Sequence, residues 1–200
     1  MQIKSTSVIL FLLIVLNSCK HSALTAQEIE QYIAEPSNGL VITQKTLGAD
    51  ITASYLPTDL LALREFLTEQ IPSNKEFLNA SNKYRNSQYF VISFSVDDHE
   101  VLNPAAGINK YGELLRTISF GMQRYVHLTT ADGDTLQPLS YSLDRTYAMG
   151  SSTQVLFAFP KKPKAEWIRV NVQEFGLGSG NVTFQFQQSD IQNTPSLKLQ

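Results

Sequence analysis

The only cysteine of the chain, Cys19, sits among neighbours that specify a chemistry. Leu16-Asn17-Ser18-Cys19 is an aliphatic residue, two further residues with the small one last, and then a thiol. That is the pattern of a lipobox, in which the thiol receives a diacylglyceryl group, the chain is cut before the cysteine, and the new amine can be acylated. Asn17 departs from the commonest small residue at its position. Residues 1–7 carry one base, Lys4, and no acid, and residues 8–16 (VILFLLIVL) are unbroken apolar. A charged start followed by a short apolar run is an export-signal pattern. The run falls short of the roughly 20 residues that a bilayer-spanning helix needs. The expectation is a leader over 1–18, a lipid on Cys19, and a short tether over 19–24. The competing readings are a buried core helix and an unmodified thiol. One acyl chain binds a membrane marginally, whereas two or more anchor it. Without a second cysteine no intramolecular disulfide can form, although export leads to an oxidising space.

The other chemistry-bearing clusters are weaker. Asp97-Asp98-His99-Glu100 concentrates possible metal ligands, but adjacent residues cannot all converge on one ion, so a solvated loop is expected. His127 falls on a predicted strand opposite Val126 and Leu128, and His21 falls in the tether. Asp132-Gly133-Asp134 shares part of a calcium loop; the glutamate that closes such a loop is missing, and a hairpin turn accounts for it. Gly176-Leu177-Gly178-Ser179-Gly180 is similar to a phosphate-binding loop, yet a strand rather than a helix follows. Lys161-Lys162-Pro163-Lys164 is a basic turn, and Trp167 and Tyr141 are candidate exposed aromatics on strands. No G-x-S-x-G elbow and no S-x-x-K occurs. These clusters predict no catalytic residue, cofactor or metal; the one site residue is the lipidated Cys19.

Composition narrows the function classes. Charged residues make up 17% and hydrophobic ones 42% of the chain, which is the composition of a folding body rather than a disordered one. The formal net charge is −2, and loss of Lys4 with the leader makes it more negative. There is no basic stripe with interleaved aromatics, which excludes a nucleic-acid partner.

The elements that must position these residues follow from periodicity. Thr25-Ala26-Gln27-Glu28 is a capping box opening a helix that carries Ile29, Tyr32 and Ile33, and Pro36-Ser37-Asn38-Gly39 is a turn. Residues 40–44 and 51–56 read as a hairpin around Thr46-Leu47-Gly48-Ala49. Pro57-Thr58 opens a helix with Leu60, Leu63 and Leu67 on one face, and Ser73 to Glu76 caps another carrying Phe77, Ala80 and Tyr84. In 89–96, Phe90, Ile92, Phe94 and Val96 alternate with polar or smaller residues, which places them on one strand face. Tyr111, Leu114, Leu115, Ile118 and Met122 predict an amphipathic helix. Residues 125–129 and 136–143 flank the Asp-Gly turn. Residues 153–159, 167–173 and 181–187 alternate in period two, and 195–200 could end as an edge strand. Strands clustered rather than alternating with helices predict an α+β fold. That fold is a single globular domain over 25–200, with about eight strands in an antiparallel sheet or sandwich and three or four helices to one side.

The chain resembles a group of uncharacterised lipoproteins of Bacteroidota. The resemblance is carried by Glu35-Pro36-Ser37-Asn38-Gly39-Leu40, Tyr55-Leu56-Pro57-Thr58-Asp59-Leu60 and Gln88-Tyr89-Phe90. It continues through Leu156-Phe157-Ala158-Phe159, Asp190-Ile191 and Pro195-Ser196-Leu197-Lys198-Leu199. It implies an envelope address and carries no site across. Lys20, in place of an inner-membrane retention aspartate, favours the outer membrane. The expected function is a membrane-anchored binding or assembly module for an envelope protein or glycan. The alternatives are an envelope hydrolase assembled from distant residues such as His99 and His127, or an inhibitor or immunity protein acting through a loop.

Overall fold

The first helix starts where its cap dictates. The Thr25 hydroxyl accepts from the Glu28 amide at 3.3 Å, and the Thr25 amide donates to the Glu28 carboxylate at 2.9 Å, so helix α1 (Ala26–Ala34) begins with its first donors satisfied. A 3-10 turn at Pro36–Asn38 ends on Gly39 in the left-handed region. Strands β1 (Val41–Lys45) and β2 (Asp50–Leu56) form the expected hairpin. Helices α2 (Thr58–Arg64) and α3 (Asn74–Tyr84) follow, α3 with its own capping box on Ser73 and Glu76. Strands β3 (Ser87–Val96) and β4 (His99–Glu100) come next, then helix α4 (Ile108–Phe120). Strands β5 (Val126–Thr130), β6 (Thr135–Leu136), β7 (Ser140–Asp144), β8 (Thr153–Pro160), β9 (Trp167–Val172) and β10 (Val182–Gln187) precede a last short helix, α5 (Gln188–Gln192). This computed structural model describes residues 23–66, 71–146 and 149–199. The expected leader, Cys19, His21 and Leu67 lie outside the described residues. Among those described, no helix is long and apolar enough to cross a membrane.

Among the described residues the named strands pair antiparallel in two sheets, one ordered β1-β2-β3-β8-β7 with β4 also on β3, the other β10-β9-β5-β6. The fold is α+β. Alternation sends Phe90, Ile92 and Phe94 from β3, and Val155, Phe157 and Phe159 from β8, toward Ile168, Val170, Phe184 and Phe186 of the second sheet. Phe90 meets Phe186 with ring centroids 5.0 Å apart, which shows the two sheets stacked face to face. At ~1.5–3 kcal/mol per buried large side chain, this aromatic core stabilises the body without a disulfide.

Three expectations change in detail. The run 136–143 is not one strand. Leu136 stays paired with Leu128 in the second sheet, whereas Ser140–Asp144 pairs with β8 in the first. Pro138, which has no amide to donate, stands at the crossing. On α2, Leu61 and Ala62 are buried with Leu60, while Leu63 is half-buried. Val96, in phase with the core residues, is 42% exposed, because β3 runs past the ends of β8 and β2 there, and Val96 itself pairs only with His99 of β4.

Helices α2 and α3 pack on each other through Ala62, Phe77 and Ala80. Glu65 of the α2 terminus accepts from Lys83 Nζ and Tyr84 Oη, each at 2.6 Å. The Tyr84 ring then meets Tyr89 on the outer face of the first sheet. At the amino end, Leu24 bridges the carboxy-terminal tail: its amide donates to Ser196 at 2.9 Å and its carbonyl accepts from Lys198 at 2.7 Å.

Candidate functional site

At the end of the first sheet away from α2 and α3, three chain reversals meet. The first is the β1–β2 turn. There the Thr46 hydroxyl donates to the Ala49 carbonyl at 2.6 Å and accepts from the Gly48 and Ala49 amides. The second is the β3–β4 hairpin. Asp97 (φ 49°) and Asp98 (φ 59°) are its central residues, both left-handed, as a two-residue turn matched to strand twist requires. The third is the glycine segment after β9.

That segment is organised by its own anion. Glu174 Oε1 accepts from the Gly176 amide at 2.6 Å and the Gly178 amide at 2.9 Å. Its Oε2 accepts from the Gly180 amide at 2.7 Å and the Ser179 hydroxyl at 3.0 Å. Gly176, Gly178 and Gly180 all have positive φ, which turns successive amides inward. Burial alone raises the carboxyl pKa, but the four donors outweigh it and hold it down at about 2. The likeness to a phosphate loop thus has a physical basis, with an internal carboxylate in the anion's place. A glutamate two residues ahead of alternating glycines was the sequence signal for this, and residue-type reasoning missed it.

The tips lock together without side chains. A Cβ on Gly48 would overlap the Leu177 carbonyl oxygen and lie 2.6 Å from the Gly178 carbonyl carbon. The β1–β2 turn therefore rests backbone against backbone on the glycine segment. Between the tips and α4 opens a cleft of about 420 Å³. Val96, Asp97 and His99 line it from the hairpin, Lys110 and Leu114 from α4, and Leu177 from the glycine segment. A shallower recess of about 250 Å³ continues past Gly48 along Lys45, Leu47, Asp50 and Asp98.

Within the acidic cluster the four residues take different jobs. His99 Nδ1 lies 2.6 Å from the Asp97 carbonyl. Asp97 and Asp98 are exposed on the turn. Glu100 is only 6% exposed; its Oε1 accepts from the Thr146 hydroxyl and, at 2.7 Å, from the Gly150 amide. Glu100 is thus a structural anchor for the loop before β8. Among the described residues, no group of three or more His, Cys, Asp or Glu could hold a metal ion.

The remaining candidates go elsewhere. His127 lies on β5 opposite Asn171, facing outward from the second sheet and away from His99. The Asp-Gly turn and the basic turn meet each other, Lys162 Nζ reaching Asp134 at 2.8 Å, with the Asp134 hydrogen bond and charge raising the lysine pKa. Tyr141 stacks on Phe157 and belongs to the core. Trp167 is half-exposed beneath Arg169, whose guanidinium carbon sits 4.1 Å from the ring centroid.

No family model matches the chain, and no curated protein matches it. Among solved structures it is similar to a protein of unknown function from Burkholderia pseudomallei, at 9% identity over 88% of this chain and 95% of that one, with a TM-score of 0.44. It is also similar to a DUF4426 family protein from Pseudomonas aeruginosa, at 8% identity over 74% of this chain and 91% of that one, with a TM-score of 0.38.

Proposed function

We propose that this chain is a lipid-anchored protein of the bacterial envelope, of the kind found in the outer membrane of Bacteroidota, whose body binds a protein partner at the cleft between its strand tips. The observation that carries the reading is a preformed concave site with mixed lining. It offers apolar surface at Val96 and, in the adjoining recess, Leu47, carboxylates at Asp97 and Asp98, and a cation at Lys110. A few directional polar groups around apolar contact area suit selective binding. The rigid walls reduce the ordering cost of association.

Chain geometry supports presentation of this cleft to a partner. Leu24 is pinned to the carboxy-terminal tail, and Leu197 of that tail packs against α2 and α3. Five peptide units separate Cys19 from Leu24 and reach at most about 18 Å. A lipid on Cys19 therefore holds the α2–α3 end near the bilayer. The cleft lies at the other end of β2 and β3, roughly 23 Å away along the seven-residue β2.

The test has two arms. Metabolic labelling with an alkyne fatty acid and fractionation of Cys19→Ala should show loss of label and release from the membrane; an unlabelled, membrane-free wild-type protein overturns the anchor. A photoreactive residue at position 47 or 96 should give a reproducible adduct with one envelope protein in cells, and one at the exposed Leu78 of α3 should not. Equal or absent crosslinking at the two places overturns the cleft as the binding site.

A further inference from the structure

The tether joins the body beside α2 and α3. Leu24 bridges Leu197 of the tail, and Leu197 and Leu199 pack with Ala62, Phe77 and Ala80 of those helices. Phe77, Ala80 and Tyr84 form the inward face of α3. On the opposite face Lys75, Leu78, Asn79 and Asn82 are exposed, with Arg85 at the carboxy end and Ile71 just ahead of the cap. Two of these are large and apolar: Leu78 is 61% and Ile71 64% exposed. We infer, on the basis of the lipid anchor proposed above, that this face of α3 lies against an anionic phospholipid bilayer. The helix is then a second membrane contact beside the lipid on Cys19, and it fixes how the body stands on the surface.

Local chemistry leaves the cations of this face available and the neighbouring acids occupied. Lys75, Leu78 and Asn82 stand at i, i+3 and i+7, on one side of the helix. Glu76, the one acid of α3, is turned to its cap: its carboxylate accepts from the Ser73 amide at 2.9 Å and the Ser73 hydroxyl at 2.6 Å. Glu65 at the end of α2 is held by Lys83 and Tyr84. Arg85 Nη1 donates to Asn82 Oδ1 at 3.3 Å, which lays the guanidinium back along the outer face. Among the described residues neither Lys75 nor Arg85 forms an ion pair.

Position and charge select the occupant. The five peptide units from Cys19 to Leu24 span at most about 18 Å, and α3, at eleven residues, is about 16 Å long. The bilayer that takes the acyl chains is therefore the surface that the tether itself brings to this helix. An interfacial helix binds through apolar area together with the attraction of its cations to anionic lipid, and each Lys or Arg adds to that attraction. The first helix at this end lacks the match, since α1 exposes Glu28 and Glu30 and carries no base. The core of a protein interface is contiguous apolar surface depleted of charge. Here Ile71 and Leu78 are instead set apart among lysine, arginine and asparagine, which suits side chains that dip singly between headgroups.

The lipidated full chain is reconstituted in vesicles of phosphatidylethanolamine with phosphatidylglycerol, and in parallel in phosphatidylcholine alone. Cys19 is the only cysteine and its thiol carries the lipid, so Asn79→Cys and, separately, Leu47→Cys each give one site for an environment-sensitive dye. Lipids with a nitroxide near the headgroup serve as quenchers. The expected result is blue-shifted, quenched emission from position 79 in the anionic vesicles, less of it in phosphatidylcholine, and unquenched emission from position 47. Lys75→Gln with Arg85→Gln should lower the ratio of quenched to unquenched populations about thirtyfold, at about 1 kcal/mol for each cation lost, while the protein still floats with the vesicles. Flotation separates this contact from the anchor. A protein that floats yet leaves position 79 as unquenched as position 47 overturns the α3 contact and leaves the anchor in place. So does quenching at 79 that is unchanged by loss of both cations and of the anionic lipid, or a dye at 79 shielded from aqueous iodide without nitroxide quenching, which marks a protein on this face. A protein that does not float and shows a bare thiol by intact mass overturns the anchor and this contact with it.

Discussion

Replacing Glu174 with glutamine removes one charge from the glycine segment while keeping its shape. In the folded chain the carboxyl pKa is lowered from 4.5 to about 2. At about 1.4 kcal/mol per unit, that shift corresponds to roughly 3 kcal/mol of preference for the carboxylate. The group is half-buried, so solvent screens part of the interaction, and about 2 kcal/mol is the expected loss. For a body of this size, such a loss lowers Tm by about 4–8 °C. The direction with pH follows from the lowered folded-state value. Above the unfolded pKa of 4.5 the stabilisation is complete, and it fades as pH falls toward 2. Urea unfolding of wild type and Glu174→Gln in parallel should therefore show a gap of about 2 kcal/mol at pH 7 that shrinks to less than half by pH 3. Protonated glutamate and glutamine are close in shape and hydrogen-bonding capacity, so the two proteins converge. A gap below ~0.5 kcal/mol at neutral pH, or one of constant size across the acid range, refutes the account of Glu174 as the anion of the amide nest.

Other perturbations test the same end of the molecule. Gly48→Ala forces a Cβ into the backbone of Leu177 and Gly178; an expected cost of about 1–3 kcal/mol is checked by chemical denaturation, and an unchanged midpoint would show the tips are not in contact. Asp98→Val places a β-branched side chain at φ 59° and should lose about 1–2 kcal/mol, whereas Asp98→Gly should be neutral or stabilising. Comparing their melting temperatures tests the left-handed turn directly.

Much of the scaffold was legible because its signals are local. The capping boxes at Thr25 and Ser73, the Pro36 to Gly39 turn and the period-two runs each depend on residues within a few positions, and each element forms where those residues stand. The lipobox at Cys19 is also local, and it alone determined the expectation of an anchor. Pairing is not local. Nothing between residues 136 and 143 except Pro138 signalled that the chain leaves one sheet for the other. Nor did alternation tell that Val96 would emerge past the end of β8.

The sites divide along the same line. From sequence, residues 97–100 were a solvated acidic loop. The fold keeps Asp97 and Asp98 there, yet draws Glu100 inward onto Thr146 and Gly150, some fifty positions away. The spacing of Gly176, Gly178 and Gly180 determined that amides could gather around an anion; only the folded chain decided that the anion is Glu174 and that Gly48 leans on the result. Type and spacing set what a residue can do with its immediate neighbours. Which distant backbone or side chain stands within 3 Å of it is set by how two twisted sheets close on one core.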